Sequence, residues 1–263
     1  MSVDRQAARP HDDSLTIGAP ASPHWQEVIR RLAPRAESKD GPLPPLMILL
    51  TIVTGIVDAV AYLKLGHVFV ANMTGNVVFL GFAAAGAKGL SVVGSVIAIA
   101  CFFPGGVAAS RLARRLGDNR LRQLRDATAV QAALCAAAIP VAALAGRQIG
   151  TGGRYALIAL LALAMGIQNA AAHRLAVAEL PTTVLTRTLT GIAADSRLGG
   201  GSRTNTPRRM LSVTAMLVGA VIGALLVLKV APVGGVAAAA AILAIVAVAA
   251  QRFARHEETS RGR

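Results

Sequence analysis

The chain predicts an all-α, polytopic membrane protein with about six transmembrane helices, two short or broken polar helices and an inverted internal repeat. Three observations predict it. Of 263 residues, 54% are apolar and only 15% are charged, and the mean hydropathy is +0.56. The charges avoid six windows, 43–63, 90–110, 127–145, 155–172, 210–228 and 230–250, several of them long enough to cross about 30 Å of hydrocarbon. A pattern of polar residues in the first half of the chain also returns in the second. A soluble Ala-rich bundle would need polar stripes along its helices, whereas IVTGIVDAVAYL carries one charge and LIALLALAMG none.

In chain order, residues 1–42 are polar and punctuated by proline, with the mixed-charge run RRLAPRAESKD. They read as a disordered cytoplasmic tail with a short helix around HWQEVIRRL. The start lacks the hydrophobic core of a signal peptide, so no cleavage is expected. The first span, 43–63, leads into a polar segment, 66–86, that contains VFVANMTGNVVFL. Spans 90–110 and 127–145 flank RLARRLGDNRLRQLR, residues 111–125, which holds six arginines. Span 155–172 leads into a second polar segment, 180–194, and then to residues 195–209 with four arginines. The last two spans precede a charged cytoplasmic tail, 253–263. The transmembrane domain is thus 43–252, with half-repeats of about 43–145 and 154–252.

Basic residues set the topology. Short loops rich in Arg and Lys stay in the cytoplasm. If all eight apolar segments crossed, the basic run at 30–39 and the six-arginine loop would face opposite sides. Removing 66–86 and 180–194 from the crossings puts both termini and both arginine-rich loops inside, in the bacterial cytoplasmic membrane. Only Lys64, Lys88, Arg147, Arg154 and Lys229 then fall at the outer face.

The two excluded segments are related. Gly55 aligns with Gly166, Asp58 with Asn169, Ala59 with Ala170 and Tyr62 with His173, each 111 residues on. One residue of slippage then sets Thr74 opposite Thr186, Gly75 opposite Arg187 and Asn76 opposite Thr188. Three crossings per half turn the second half upside down relative to the first. Several secondary transporters use this arrangement, with binding sites at short or broken helices near the midplane.

Candidate site residues follow from polarity at membrane depth. Asp58 lies inside the first apolar span, where a carboxylate is costly and usually faces a bundle interior or cavity; it is the candidate for proton or cation coupling. Tyr62 follows at i+4 on the same helix face. Asn169, beside Gln168, and His173 repeat that spacing in the second half. Asn72, Thr74 and Asn76 flank Gly75, where a broken backbone could line a solute or ion site. Their packing alternative is interhelical hydrogen bonding. Thr186, Arg187 and Thr188 form the second-half counterpart, with Arg187 either paired at depth or snorkelling to the headgroups.

Other classes are excluded. The formal charge of +14 invites nucleic acid as a partner, but aromatics make up 3% and no zinc-finger or basic-zipper pattern occurs. Cys101 and Cys135 lie in apolar spans as small packing residues. No HExxH, Walker A or dinucleotide fingerprint is present, so no enzyme, cofactor or metal is expected.

The stretch GIVDAVAYLKLGHVFVANMTGNVVFLG resembles the signature of the YoaK-like family of bacterial integral membrane proteins, a domain of unknown function. The pattern Gly-x-x-Asp-Ala followed by Phe-x-x-Asn-x-Thr-Gly-Asn is met by Gly55, Asp58, Ala59, Phe69, Asn72, Thr74, Gly75 and Asn76. The second-half motif in relatives tends toward Thr-Gly-Thr, where this chain has Thr186-Arg187-Thr188. The resemblance implies the membrane fold and the weight of the motif, and carries no substrate or reaction. The expected function is transport of a small solute or ion, proton-coupled through Asp58. The alternative is a non-transporting scaffold or modulator of a partner complex. The expected partners are the lipid bilayer, an unknown small solute or ion, and further copies of the chain.

Overall fold

In the computed structural model, the residues described are 40–117, 119–146, 149–176, 185–194 and 206–261. They form eight α-helices: α1 (Leu43–Lys64), α2 (Met73–Ala84), α3 (Val92–Leu116), α4 (Arg120–Ala145), α5 (Thr151–Leu175), α6 (Leu185–Ala194), α7 (Thr206–Leu225) and α8 (Pro232–Arg261). A π turn, Leu226–Val230, extends α7. Six helices are long and apolar enough to cross a membrane, and α2 and α6 are not among them. At 1.5 Å per residue the 12 residues of α2 reach about 18 Å, short of the hydrocarbon thickness. The predicted tail lies, up to residue 39, outside the described residues, as does the first part of segment 180–194.

Local signals place the helix ends. Pro44 and Pro45 open α1, where missing N–H groups cost nothing. The Ser91 and Asn119 side chains cap α3 and α4 by accepting from Gly94 N and Arg122 N. Most of the six-arginine stretch is helical rather than loop: α3 runs to Leu116 and α4 starts at Arg120. Leu and Arg favour helix strongly enough to continue it beyond the apolar window. The charged C-terminal stretch likewise continues α8 to Arg261.

One carboxylate fixes how the helices run. Asp40, just before α1, pairs with Arg120 at 3.1 Å and with Arg208 at 3.8 Å. Arg120 also donates to the Leu175 carbonyl at 2.5 Å. The starts of α1, α4 and α7 and the end of α5 therefore meet at one end, which is rich in arginine. At the opposite end Ser91 N donates to Gly66 O at 3.3 Å, joining the end of α1 to the start of α3. Thus α1 runs opposite to α5, and α3 opposite to α7.

The packing repeats between the halves. Helix α3 lies along α5 as α1 lies along α7, α4 meets α5 as α8 meets α1, and α2 rests on α3 as α6 rests on α7. The contacts match at the level of residues. A methyl on Gly55 would strike Met216 O and come within 2.6 Å of Ala220 N; one on Gly166 would strike Phe102 O and come within 3.1 Å of Gly106 N. Reciprocally, Gly219 is pressed on Ile52 O and Gly105 on Leu163 O. Each pair of helices approaches through small residues, which lets backbones touch where lipid offers no hydrophobic drive. Helices α1 and α5 are the most buried of the six. Phe103, Leu144, Leu217 and Ile245 project from the outer helices as a lipid-facing surface.

Candidate functional site

The signature residues build a cradle for a loop that folds back along α1. After α1 the chain turns at Gly66 (φ +98°) and His67 (φ +56°) and folds back so that Val68, Val70 and Ala71 are buried. Buried backbone groups need partners. Asp58 Oδ1 accepts from Val70 N at 3.0 Å and Ala71 N at 2.9 Å. Asn76, fully buried, accepts from Phe69 N at 2.9 Å and donates to Phe69 O at 2.6 Å. Gly75 leaves room for the Phe69 ring, whose Cδ2 would sit 2.6 Å from a Cβ there. That ring stacks on Tyr62 and Phe79, with centroids 5.3 and 5.8 Å away.

Two motif residues do not take part. Asn72 and Thr74 are exposed, and Asn72 stands at the start of α2 without a side-chain capping bond. Tyr62 is 37% exposed at the rim of the aromatic cluster. In the second half, half-buried Asn169 donates to Met165 O at 2.9 Å. Thr188 is buried and Thr186 exposed, while the Arg187 side chain lies outside the described residues. The structure thus joins Asp58 to Asn76 through residues 69–71, whereas α2 and α6 lie against different helices.

A second polar group occupies the centre of the bundle, across both halves. Gln131 Nε2, on α4, donates to Gln168 Oε1, on α5, at 2.7 Å. Gln168 Nε2 donates to Thr54 Oγ1, on α1, at 2.7 Å and to Leu50 O at 3.2 Å. The Thr54 hydroxyl donates to Leu50 O at 3.0 Å. Gln131 Nε2 spends its other hydrogen on Met165 Sδ at 3.6 Å. All three polar side chains are at most 1% exposed.

The direction of this chain is fixed by Leu50. Its carbonyl can only accept, so the Gln168 amide must turn nitrogen toward it and oxygen toward α4. Gln131 must then present its nitrogen to Gln168, which leaves Gln131 Oε1 facing the other way. That oxygen has no partner among the described residues. A buried acceptor left open costs about 1–3 kcal/mol. Among the described residues the other such atom is Arg154 Nε, near the end of the bundle where Gly66 and Ser91 meet.

Sequence reading singled out Asp58 and Asn76 but did not place Thr54 or Gln131 in a site, and met Gln168 only as the neighbour of Asn169. Gln131 did leave a signal: it is the lone amide in the alanine-rich window 127–145, and a polar side chain at that depth is costly. Thr54 left none, because a threonine that bonds back one turn is ordinary in a membrane helix.

Residues 46–249 match the family described as "Protein of unknown function (DUF1275)". The chain belongs to this family. The match takes in both halves, the whole loop cradle and the central polar group, and leaves Asp40 outside. The chain is also similar to the UPF0700 transmembrane protein YoaK of Bacillus subtilis (strain 168), with 36% identity over 187 residues, 68% of this chain and 82% of the relative. No solved structure matches. The family therefore bears out the membrane architecture without assigning it a reaction.

Proposed function

We propose that the protein carries a small solute or ion across the bacterial cytoplasmic membrane. The observation that carries this reading is the meeting of two oppositely oriented, similarly packed halves at a buried polar group, Thr54–Gln168–Gln131, about midway along α1 and α4. Inverted halves can rock against each other around such a site and expose it to each side in turn. Polar side chains buried at that depth are expensive, which makes them functional candidates by default. Val68, Val70 and Ala71 of the loop after α1 are covered by protein, as re-entrant backbone must be. By the arginine bias, the end that holds Asp40, Arg120 and Arg208 faces the cytoplasm.

Asp58 serves the loop in this reading through Oδ1, which accepts from Val70 N and Ala71 N. The same observation favours a second reading, a non-transporting scaffold in which Asp58 and Asn76 only hold the loop in place. Uptake by purified protein in sealed vesicles separates the two. Transport predicts uptake of at least one member of a panel of labelled ions and neutral solutes, above protein-free vesicles. Uptake of none supports the scaffold.

A further inference from the structure

We infer that the central polar group is a recognition site for a small uncharged solute that donates a hydrogen bond, through an N–H or O–H, to Gln131 Oε1. The inference rests on the transport reading and names its substrate class.

The chemistry follows from counting donors and acceptors. Both hydrogens of Gln168 Nε2 are used, on Leu50 O and Thr54 Oγ1. Both hydrogens of Gln131 Nε2 are used, on Gln168 Oε1 and Met165 Sδ. The Thr54 proton is used on Leu50 O. No hydrogen is left to offer a ligand, and one acceptor is left without any among the described residues. The Leu50 carbonyl holds this polarity, so the amides cannot both turn over to present a donor without setting oxygen against oxygen.

Each ligand class meets this surface differently. An anion would bring negative charge against a lone acceptor and find no donor. A metal cation needs several oxygens, and Gln131 supplies one. A neutral molecule with N–H or O–H groups matches the open acceptor and brings no charge into the bilayer centre. Met165, buried beside Gln131, gives the group an adaptable, weakly polar neighbour. Because Thr54 and Gln131 belong to one half and Gln168 to the other, movement of the halves would remake these bonds. The open acceptor is thus tied to the interface that the transport cycle opens.

The experiment is shrinkage and re-swelling of proteoliposomes, followed by light scattering, with urea and glycerol as neutral probes, sodium chloride as the ionic probe and sucrose as the impermeant control. Wild-type protein is expected to speed entry of urea or glycerol and leave sodium chloride excluded. Gln131→Leu should slow that entry about two- to tenfold, the factor that corresponds to one net neutral hydrogen bond. Folding of the variant is checked by its elution profile and thermal unfolding. Gln131→Glu, of the same shape, serves as the second variant. As the neutral acid, its hydroxyl can donate to Gln168 Oε1 and its carbonyl keeps the open acceptor, so urea entry should persist at low pH and fall as the carboxyl ionises. If only sodium chloride enters faster, the inference falls and the transport reading stands. If only water moves, seen as faster shrinkage in sucrose, the acceptor holds water and the solute site is refuted. Movement of no probe, or neutral entry indifferent to both Gln131 variants, also overturns it.

Discussion

At the scale of single residues, a motif of mixed polar groups divides by what each side chain touches. Asn76 satisfies both backbone groups of Phe69 from a fully buried position. Asn76→Ala should therefore cost about 2–4 kcal/mol, since a buried N–H and C=O lose their partner together. Thr74→Ala, at an exposed position, should stay within about 0.5 kcal/mol. Reversible unfolding in mixed micelles compares the two, and equal costs would refute the cradle. Asp58→Asn keeps an acceptor oxygen for Val70 N and Ala71 N, whereas Asp58→Leu keeps none. The asparagine variant should retain the higher midpoint in the same assay, and the opposite order would mean that the carboxylate does something other than hold the loop. The need for Asp58 and Asn76 was legible in the sequence from their polarity at depth. Their partners were not, because a side chain that bonds backbone leaves no complementary residue to find.

At the scale of elements, small residues decide which helices meet. Gly105 and Gly106 are adjacent on α3 but differ in surroundings: a methyl on Gly105 would strike Leu163 O, while one on Gly106 would rest at 3.8 Å from Gly166 O, an ordinary contact. Gly105→Ala should lower the unfolding midpoint by an amount equivalent to about 1–3 kcal/mol, and Gly106→Ala should leave it nearly unchanged. Matching losses at both positions would contradict the packing. The six long helices were readable from charge-free windows, and the two short segments from the topology they would otherwise violate. Helix ends were less readable. The arginines between α3 and α4 mark the membrane boundary but favour helix as well, so the elements outrun the spans. The repeat was visible in Gly55 and Gly166, yet the pairing of α1 with α7 and of α3 with α5 depends on residues such as Met216 and Phe102, whose side chains carry no pattern because their carbonyls make the contact.

At the scale of the whole molecule, three crossings in each half make the two ends of the bundle chemically different. Asp40, Arg120 and Arg208 tie one end together across both halves, and the other end carries the loop and α2. Cysteines placed at the exposed positions Lys88 and Arg122 should react with an impermeant thiol reagent from opposite sides, with position 122 reached from the cytoplasm. Reaction of both from one side would overturn the six-crossing arrangement. The central claim is that the buried polar group between the halves becomes open to each side in turn. Its most direct measurement is the reactivity of Thr54→Cys, in a chain with Cys101 and Cys135 replaced by alanine, toward a small methanethiosulfonate added to either side of oriented vesicles. The account predicts modification from both sides. Modification from one side only, or from neither while the control at position 88 reacts, would contradict it.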